Sequence, residues 1–305
     1  MKFLQFGLGN QGLKRIKTLK RHTVFTVDPY VKNSNFKKKE DIDFITLSKI
    51  DAAIISTPEE EKFDLIKFCF NNNINVLVEK PLLLKNLKEY NEIEKIGLKK
   101  NLICYTAYNH RFEPHIINCK KIISDGKLGK IYSCRIFYGN GTARIVKNSK
   151  WKDKGLGVIP DLGSHLLDIL SFILDKKFEN LKLIASNKFE NHSTDHAILS
   201  SNDKEEIHIE LEMTLCMWKN TFTCDIIGEK GSIHIDCLCK WGPSHLTYRK
   251  RIFPSGLPIE KKKTIISNDP TWQKEINYFM SKIRNKEKIN LEIDKYIFNN
   301  LKNVI

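Results

Sequence analysis

Residues 1–19 read MKFLQFGLGNQGLKRIKTL, and the fold is decided there. Lys2 to Phe6 is a short apolar run that stops at Gly7, and from Leu13 the apolar residues Leu13, Ile16 and Leu19 recur at helical spacing. Between them lies Gly7-Leu8-Gly9-Asn10-Gln11-Gly12, a GxGxxG placed after a strand and opening a helix, the one context that gives a weak pattern force. There Gly7 makes the tight turn, Gly9 lets the backbone approach a pyrophosphate, and Gly12 lets helix and strand pack closely. The helix N-terminus, starting at Asn10 and Gln11, offers free N–H groups and a partial positive charge to the phosphates. Thr23 to Val27 then reads as a second strand ending in Asp28, with Pro29 preventing regular continuation. A carboxylate at that point accepts ribose hydroxyls and repels a 2′-phosphate, so NAD is the expected cofactor. Lys32 nearby keeps NADP as the alternative.

Further along, Ala52 to Ser56 is another short apolar run, closed by Thr57-Pro58. A helix with Phe63, Ile66 and Phe70 on one face follows, then a strand from Asn75 to Val78. After Pro81 come a helix spaced by Leu87, Tyr90, Ile93 and Ile96 and a strand from Leu102 to Tyr105. Short apolar strands alternating with amphipathic helices indicate a parallel sheet covered on both faces. The expected fold is thus an α/β Rossmann dinucleotide-binding domain over 1–115, joined to an α+β domain over 116–305. In the second part Ile207, Ile209, Leu211, Met213 and Leu215 alternate strictly with polar residues, an antiparallel-strand signature. Residues 131–138, 194–200, 222–227, 232–236 and 245–252 also read as strands, interrupted by helices around 116–123, 164–174 and 272–283. One open, mainly antiparallel sheet follows from this. A sheet with helices on one face leaves the other face for a second subunit, so a homodimer or homotetramer is expected.

The 305 residues are 41% hydrophobic and 29% charged, a globular composition. No apolar run reaches the roughly 18 to 20 residues that cross a bilayer, and the start lacks the apolar stretch of a signal peptide. Eight dispersed cysteines without a CxxC read as reduced thiols, so a cytoplasmic location is expected and no metal site. Cys237 and Cys239 alternate within strand-like sequence, which puts both on one face. The net charge of +15 comes with short basic runs such as Lys37-Lys38-Lys39 and Lys261-Lys262-Lys263 in loop-like sequence, without interleaved aromatics. A solvated basic surface, or attraction of an anionic small substrate, is preferred over nucleic acid or membrane.

Glu79-Lys80-Pro81 ends a strand at the carboxyl edge of the parallel sheet, where such folds bind ligands. An ammonium in that partly desolvated place needs a partner or a task. Asp161-Leu162-Gly163-Ser164-His165 sets a carboxylate and an imidazole four apart, on one face if a helix begins near Asp161. An imidazole titrating near ~6.5 can remove a hydroxyl proton at neutral pH. Each has a structural alternative: Lys80 as a surface lysine, Asp161 as a helix N-cap, His165 as a packed core histidine.

Taken together these motifs resemble the Gfo/Idh/MocA oxidoreductases, over nearly the whole chain and in the right order. Besides the glycine turn, Val78-Glu79-Lys80-Pro81-Leu82 is similar to the family's EKP motif and Tyr108-Asn109-His110-Arg111-Phe112-Glu113-Pro114 to its Y-N-x-R-F-x-P segment. Gly155 to His165 resembles its G-G-x-x-x-D-x-G-x-H segment, and Ile227-Gly228-Glu229-Lys230-Gly231-Ser232 its I-G-x-x-G-x turn. The resemblance implies Lys80, Asp161 and His165 as the catalytic group. It also implies Thr57, Pro58, Glu79 and Lys80 beside the cofactor, and Asn109, Arg111 and Trp151 lining the substrate crevice with Lys80, Asp161 and His165. For Arg111 a structural role is equally open, and the Asp195-His196 pair reads as structural. The implied activity is hydride transfer between nicotinamide and a secondary alcohol or carbonyl of a sugar, cyclitol or nucleotide sugar. A biliverdin-reductase-like reductase, an NAD-using glycosidase and a non-catalytic dinucleotide-binding protein are the alternatives. Two departures stand out: Glu59-Glu60-Glu61-Lys62 where many relatives carry a histidine, and an early end at Ile305.

Overall fold

Five short strands carry the first apolar runs: β1 (Lys2–Phe6), β2 (Thr23–Val27), β3 (Ala52–Ile55), β4 (Asn75–Val78) and β5 (Cys104–Thr106). They pair in parallel in the order β2-β1-β3-β4-β5, in a computed structural model that describes residues 1–20, 22–149, 153–179, 181–201 and 207–304. Helices α1 (Asn10–Leu19), α2 (Phe44–Leu47), α3 (Glu59–Asn71) and α4 (Leu87–Lys100) connect them. Alternate strand residues face opposite ways, so Phe3, Ala52, Ile54 and Leu77 join one core while Leu4, Phe6, Ala53, Ile55, Val76 and Val78 join the other. The chain turns outward from β1 in both directions, to β2 and to β3, which makes the carboxyl ends of β1 and β3 the topological switch point where open α/β sheets bind ligands.

The second sheet has eight strands: β6 (Ile131–Gly139), β7 (Leu181–Asn187), β8 (His196–Ser201), β9 (His208–Thr214), β10 (Thr221–Gly228), β11 (Gly231–Asp236), β12 (Ser244–Ile252) and β13 (Gly256–Ile265). Their order is β13-β12-β11-β10-β6-β9-β8-β7, antiparallel except where β6 runs parallel to β9. On β9, Ile209, Leu211 and Met213 are fully buried, as the alternation requires. Helices α5 (Pro114–Ser124) and α7 (Ser164–Leu174) pack together on this sheet, and a short α6 (Ala143–Lys147) precedes the segment carrying Asp161. Two strands go beyond the sequence reading, β7 and β13. The expected loop around Lys261-Lys262-Lys263 is in fact β13, an exposed edge strand paired with β12. Lysines suit such an edge because their charge discourages pairing with another chain.

The chain divides into two compact units, and a late stretch of sequence packs with the parallel sheet. The first unit comprises Met1–Asn109 together with Trp272–Phe298, and the second runs from His110 to Thr271 with the residues from Asn299 onward. The cause is apolar surface on both faces of the parallel sheet. From α8 (Thr271–Arg284), Ile276 and Phe279 complete the core around Phe3, Leu19 and Ile54. Ile289 and Leu291, then Phe298 of α9 (Glu292–Asn303), complete the other. Ile276 and Phe279 are fully buried, and each contributes roughly 1.5–3 kcal/mol relative to exposure.

Candidate active site

The glycine turn has the geometry that its sequence calls for. Gly7 sits at φ +80°, and a Cβ there would lie 2.6 Å from the Ser56 carbonyl oxygen and 3.3 Å from Thr57 Cγ2, so β1 and β3 meet at this turn. A Cβ on Gly12 would lie 2.0 Å from the Gly7 carbonyl oxygen, which no side chain could tolerate. At Gly9, by contrast, a Cβ would meet nothing within 4 Å: the backbone faces open space where a phosphate would approach. Among the described residues no side chain caps α1, and its first turn holds no acidic residue, so the N–H groups beginning at the exposed Asn10 and Gln11 stay available to an anion. Gln5, which the sequence reading passed over, is fully buried in β1, and its Nε2 donates to the carbonyls of Phe6 (2.9 Å) and Gly7 (3.1 Å) and to Ser56 Oγ (3.0 Å). A lone amide in the apolar run KFLQF was its signal.

Asp28 closes the same site. Its Oδ2 accepts from the Leu8 amide (2.7 Å) and its Oδ1 from those of Tyr30 (2.8 Å) and Val31 (3.0 Å). Burial would raise this carboxyl, but the three amides and the nearby Lys37 outweigh it and hold the group below its ordinary value. An ionised carboxylate with a single backbone bond on Oδ2 among the described residues keeps acceptor capacity for a ribose hydroxyl. Open glycine turn, uncapped helix and ionised Asp28 fit a dinucleotide.

The Glu79-Lys80-Pro81 segment follows β4 and is held from below. Arg15 of α1 is buried beneath Trp272, with its Nε on Glu79 Oε1 (2.5 Å) and its Nη1 on Glu275 Oε2 (2.6 Å). The inward face of α1 is Gly12, Arg15 and Leu19, while Leu13 is half exposed. Lys62 of α3 is buried as well, and its Nζ donates to Glu59 Oε1 and to the carbonyls of Glu79 and Pro81, each at 2.7 Å. Burial lowers the Lys62 ammonium and raises the Glu59 carboxyl, and their mutual attraction opposes both effects. Lys80 itself is partly exposed, and Thr57-Pro58 leads into α3. Asn109 is buried at the start of a short 3₁₀ turn, Asn109–Phe112, that crosses from the first unit to the second.

In the second unit the winding starts before α7, as a wide π-type turn over Ile159–Gly163 that runs directly into the helix. Asp161 therefore lies inside the winding and among the described residues no side chain caps α7, so the N-cap alternative falls. Asp161 is exposed and His165 is buried, one turn apart. Two glycines fix the segment: at Gly157 (φ +50°) a Cβ would lie 2.1 Å from the Thr194 carbonyl oxygen, and at Gly163 2.9 Å from Met213 Sδ. The His165 ring stacks on His110 with centroids 4.0 Å apart, and the Tyr138 ring is tilted by about 50° to both. Lys240 Nζ donates to His110 Nε2 at 2.9 Å and lies over the Trp241 ring. Burial, then the charges of Asp161 and Asp269, push the Tyr138 phenol above its ordinary value. Arg111 pairs bidentately with the buried Asp168 of α7. Asp195 accepts from the amides of Phe189, Glu190 and Asn191, a turn-building role. Trp151 lies outside the described residues. His110, Tyr138, Lys240 and Trp241 were not singled out in sequence, because three distant stretches meet there.

The expected strand face for Cys237 and Cys239 does not form. β11 ends at Asp236, Cys237 takes φ +66°, and Cys239 opens a 3₁₀ turn with its thiol on Glu113 Oε2 at 3.0 Å. Burial, then Glu113, push that thiol up to about 12. Among the described residues no His, Cys, Asp and Glu cluster could hold a metal, and no helix is long and apolar enough to cross a membrane.

Sequence profiles add the family. Residues 6–108 match the profile described as "Oxidoreductase family, NAD-binding Rossmann fold", and residues 116–234 match "GFO/IDH/MocA C-terminal domain", more than half the chain between them. The chain belongs to the Gfo/Idh/MocA family. Its first unit is therefore the family's NAD-binding Rossmann domain. Among curated members, glucose-6-phosphate 3-dehydrogenase of Bacillus subtilis is 22% identical over 69% of this chain and 59% of its own length. The NAD-dependent scyllo-inositol 2-dehydrogenase of the same organism is 27% identical over 62% of this chain and 56% of its own. The chain spans between a third and three fifths of the length of the first curated relatives it matches. Levoglucosan dehydrogenase, solved in complex with NADH, shares the fold at TM-score 0.79 and 16% identity, covering 100% of this chain and 98% of that one.

Proposed function

We propose that this Gfo/Idh/MocA chain is an NAD(P)-dependent oxidoreductase acting on a secondary alcohol or carbonyl of a sugar, cyclitol or nucleotide sugar, with Lys80, Asp161 and His165 as its catalytic group. The observation that carries the reading is His165, a buried imidazole one turn from the exposed Asp161, in a chain whose Rossmann unit offers an open glycine turn and carries Lys80 just after β4. Bound nicotinamide supplies a carbon that accepts or returns a hydride. The residues do the rest. His165 takes the proton of the substrate hydroxyl, and Asp161 orients that imidazole or binds a neighbouring hydroxyl. The Lys80 ammonium stabilises the alkoxide as it develops. Gly7, Gly9, Gly12, Asn10, Gln11 and Asp28 hold the dinucleotide, aided by Thr57, Pro58 and Glu79. Asn109, Arg111 and Trp151 line the substrate side, Arg111 being oriented by Asp168. The polyol dehydrogenases among the relatives support the substrate class.

Lys80→Ala and His165→Ala each abolish turnover while NADH still binds, measured by fluorescence transfer from tryptophan. Full activity in both overturns the assignment. We further place the protein in the cytoplasm, where its eight free cysteines stay reduced, as a homodimer or homotetramer through the free sheet face. Light scattering that finds only monomer overturns the second point.

A further inference from the structure

We propose that Lys62 is a positioning residue for Lys80: its buried ammonium grips the carbonyls on both sides of the catalytic lysine and so fixes where that lysine's side chain starts. The inference rests on the reading of Lys80 given above. The Lys62 Nζ has three protons and three acceptors, the carbonyls of Glu79 and Pro81 and Glu59 Oε1, each at 2.7 Å. Glu59 also faces the Leu83 amide through Oε2 at 3.4 Å. The neighbouring atoms are held too. Arg15 fixes the Glu79 carboxylate, and the Tyr90 hydroxyl donates to the Leu82 carbonyl (2.6 Å) while accepting from the Leu84 amide (3.1 Å).

A packed methionine would fill the same place on α3 without a charge to desolvate, so a buried ammonium here needs a reason. The reason on the page is its pair of targets. The two carbonyls gripped are those immediately before and after Lys80 in an otherwise irregular segment, while Lys80 remains partly exposed. Rigid backbone under a mobile four-carbon side chain is how an ammonium is kept within reach of one point.

The test compares the parent with Lys62→Met, Lys62→Gln and the double variant Glu59→Gln/Lys62→Met. Each is read by NADH affinity, by kcat and KM with NAD over a panel of inositols and hexoses, and by hydrogen exchange of the peptide spanning residues 77–85. Lys62→Met is expected to lose about 100-fold in kcat, the scale of a misplaced catalytic group, with NADH affinity unchanged. Its exchange rises in that peptide and nowhere else. Lys62→Gln, which still donates hydrogen bonds, recovers part of both. If Lys62→Met fails to fold because Glu59 is left unpaired, the double variant is read in its place. Parent-like kcat or unchanged exchange in the folded variant overturns the proposal. Should the parent turn over nothing in the panel, the substrate class above fails, and exchange alone decides for or against the grip. A Lys80→Ala variant that keeps full activity refutes the role of Lys80 and leaves the grip as a structural fact.

Discussion

The Rossmann unit and the second unit present their functional groups differently. Around Gly7 to Gly12 the groups offered to a phosphate are backbone N–H groups and empty space, so a contiguous six-residue stretch contains the phosphate-facing part of the site. Around His165 the candidate groups are side chains brought together from residues 110, 138, 161 and 240–241 by the Asn109–Phe112 turn, β6, the winding before α7 and the turn after β11. A backbone device can be spelled by local sequence because glycine spacing and helix start are local. A side-chain device depends on sheet register, which no short stretch encodes.

The largest effect should come from Arg15→Met, which leaves the Glu79 and Glu275 carboxylates in the Rossmann core without their guanidinium. Loss of one partner from a buried pair costs about 3–5 kcal/mol, read by urea unfolding. Next come two glycines chosen to separate the units. Gly12→Ala and Gly157→Ala each drive a Cβ into a carbonyl oxygen, at 2.0 and 2.1 Å, and should cost roughly 1–3 kcal/mol. Gly12→Ala should end NADH binding. Gly157→Ala should keep it and end turnover; the reverse pattern would break the comparison.

A pH titration sharpens it. The Asp28 carboxyl is held below its ordinary value in the folded chain, so its contribution to stability is complete above the unfolded value of about 4 and is lost as pH falls through the lower folded one. Asp28→Asn should flatten that acid limb; an unchanged limb would show that Asp28 does not govern it. The smallest effect on stability belongs to Gly9→Ala. A Cβ there meets nothing, so the melting temperature should not move while NADH affinity weakens about tenfold, or 1.4 kcal/mol. An unchanged affinity would mean that the pyrophosphate does not approach this backbone.

The parallel sheet, the glycine turn, the strand-ending Asp28 and the alternation of β9 were all legible because each is local periodicity or punctuation. What escaped has a common cause. Lys62 follows three glutamates, and nothing in that stretch shows that the carbonyls of Glu79 and Pro81 give it a buried place. Arg15 sits among surface lysines in sequence and turns inward because Glu79 and Glu275 wait there. The lysines of β13 and the left-handed Cys237 were misjudged for the same reason: pairing with β12 and the bond of Cys239 to Glu113 are long-range facts.

Because Trp272–Phe298 completes the Rossmann unit, a ribosome must first make His110–Thr271, nearly all of the second unit, before the first can close. At roughly 5–20 residues per second, the wait between Asn109 and Trp272 lasts on the order of ten to thirty seconds. Through that interval the nascent sheet shows the side of Phe3, Ile54 and Leu77 that Ile276 and Phe279 will later cover. The newborn chain is thus a ready client for a chaperone, and truncation anywhere before α8 yields a sticky product in place of a small nucleotide-binding protein.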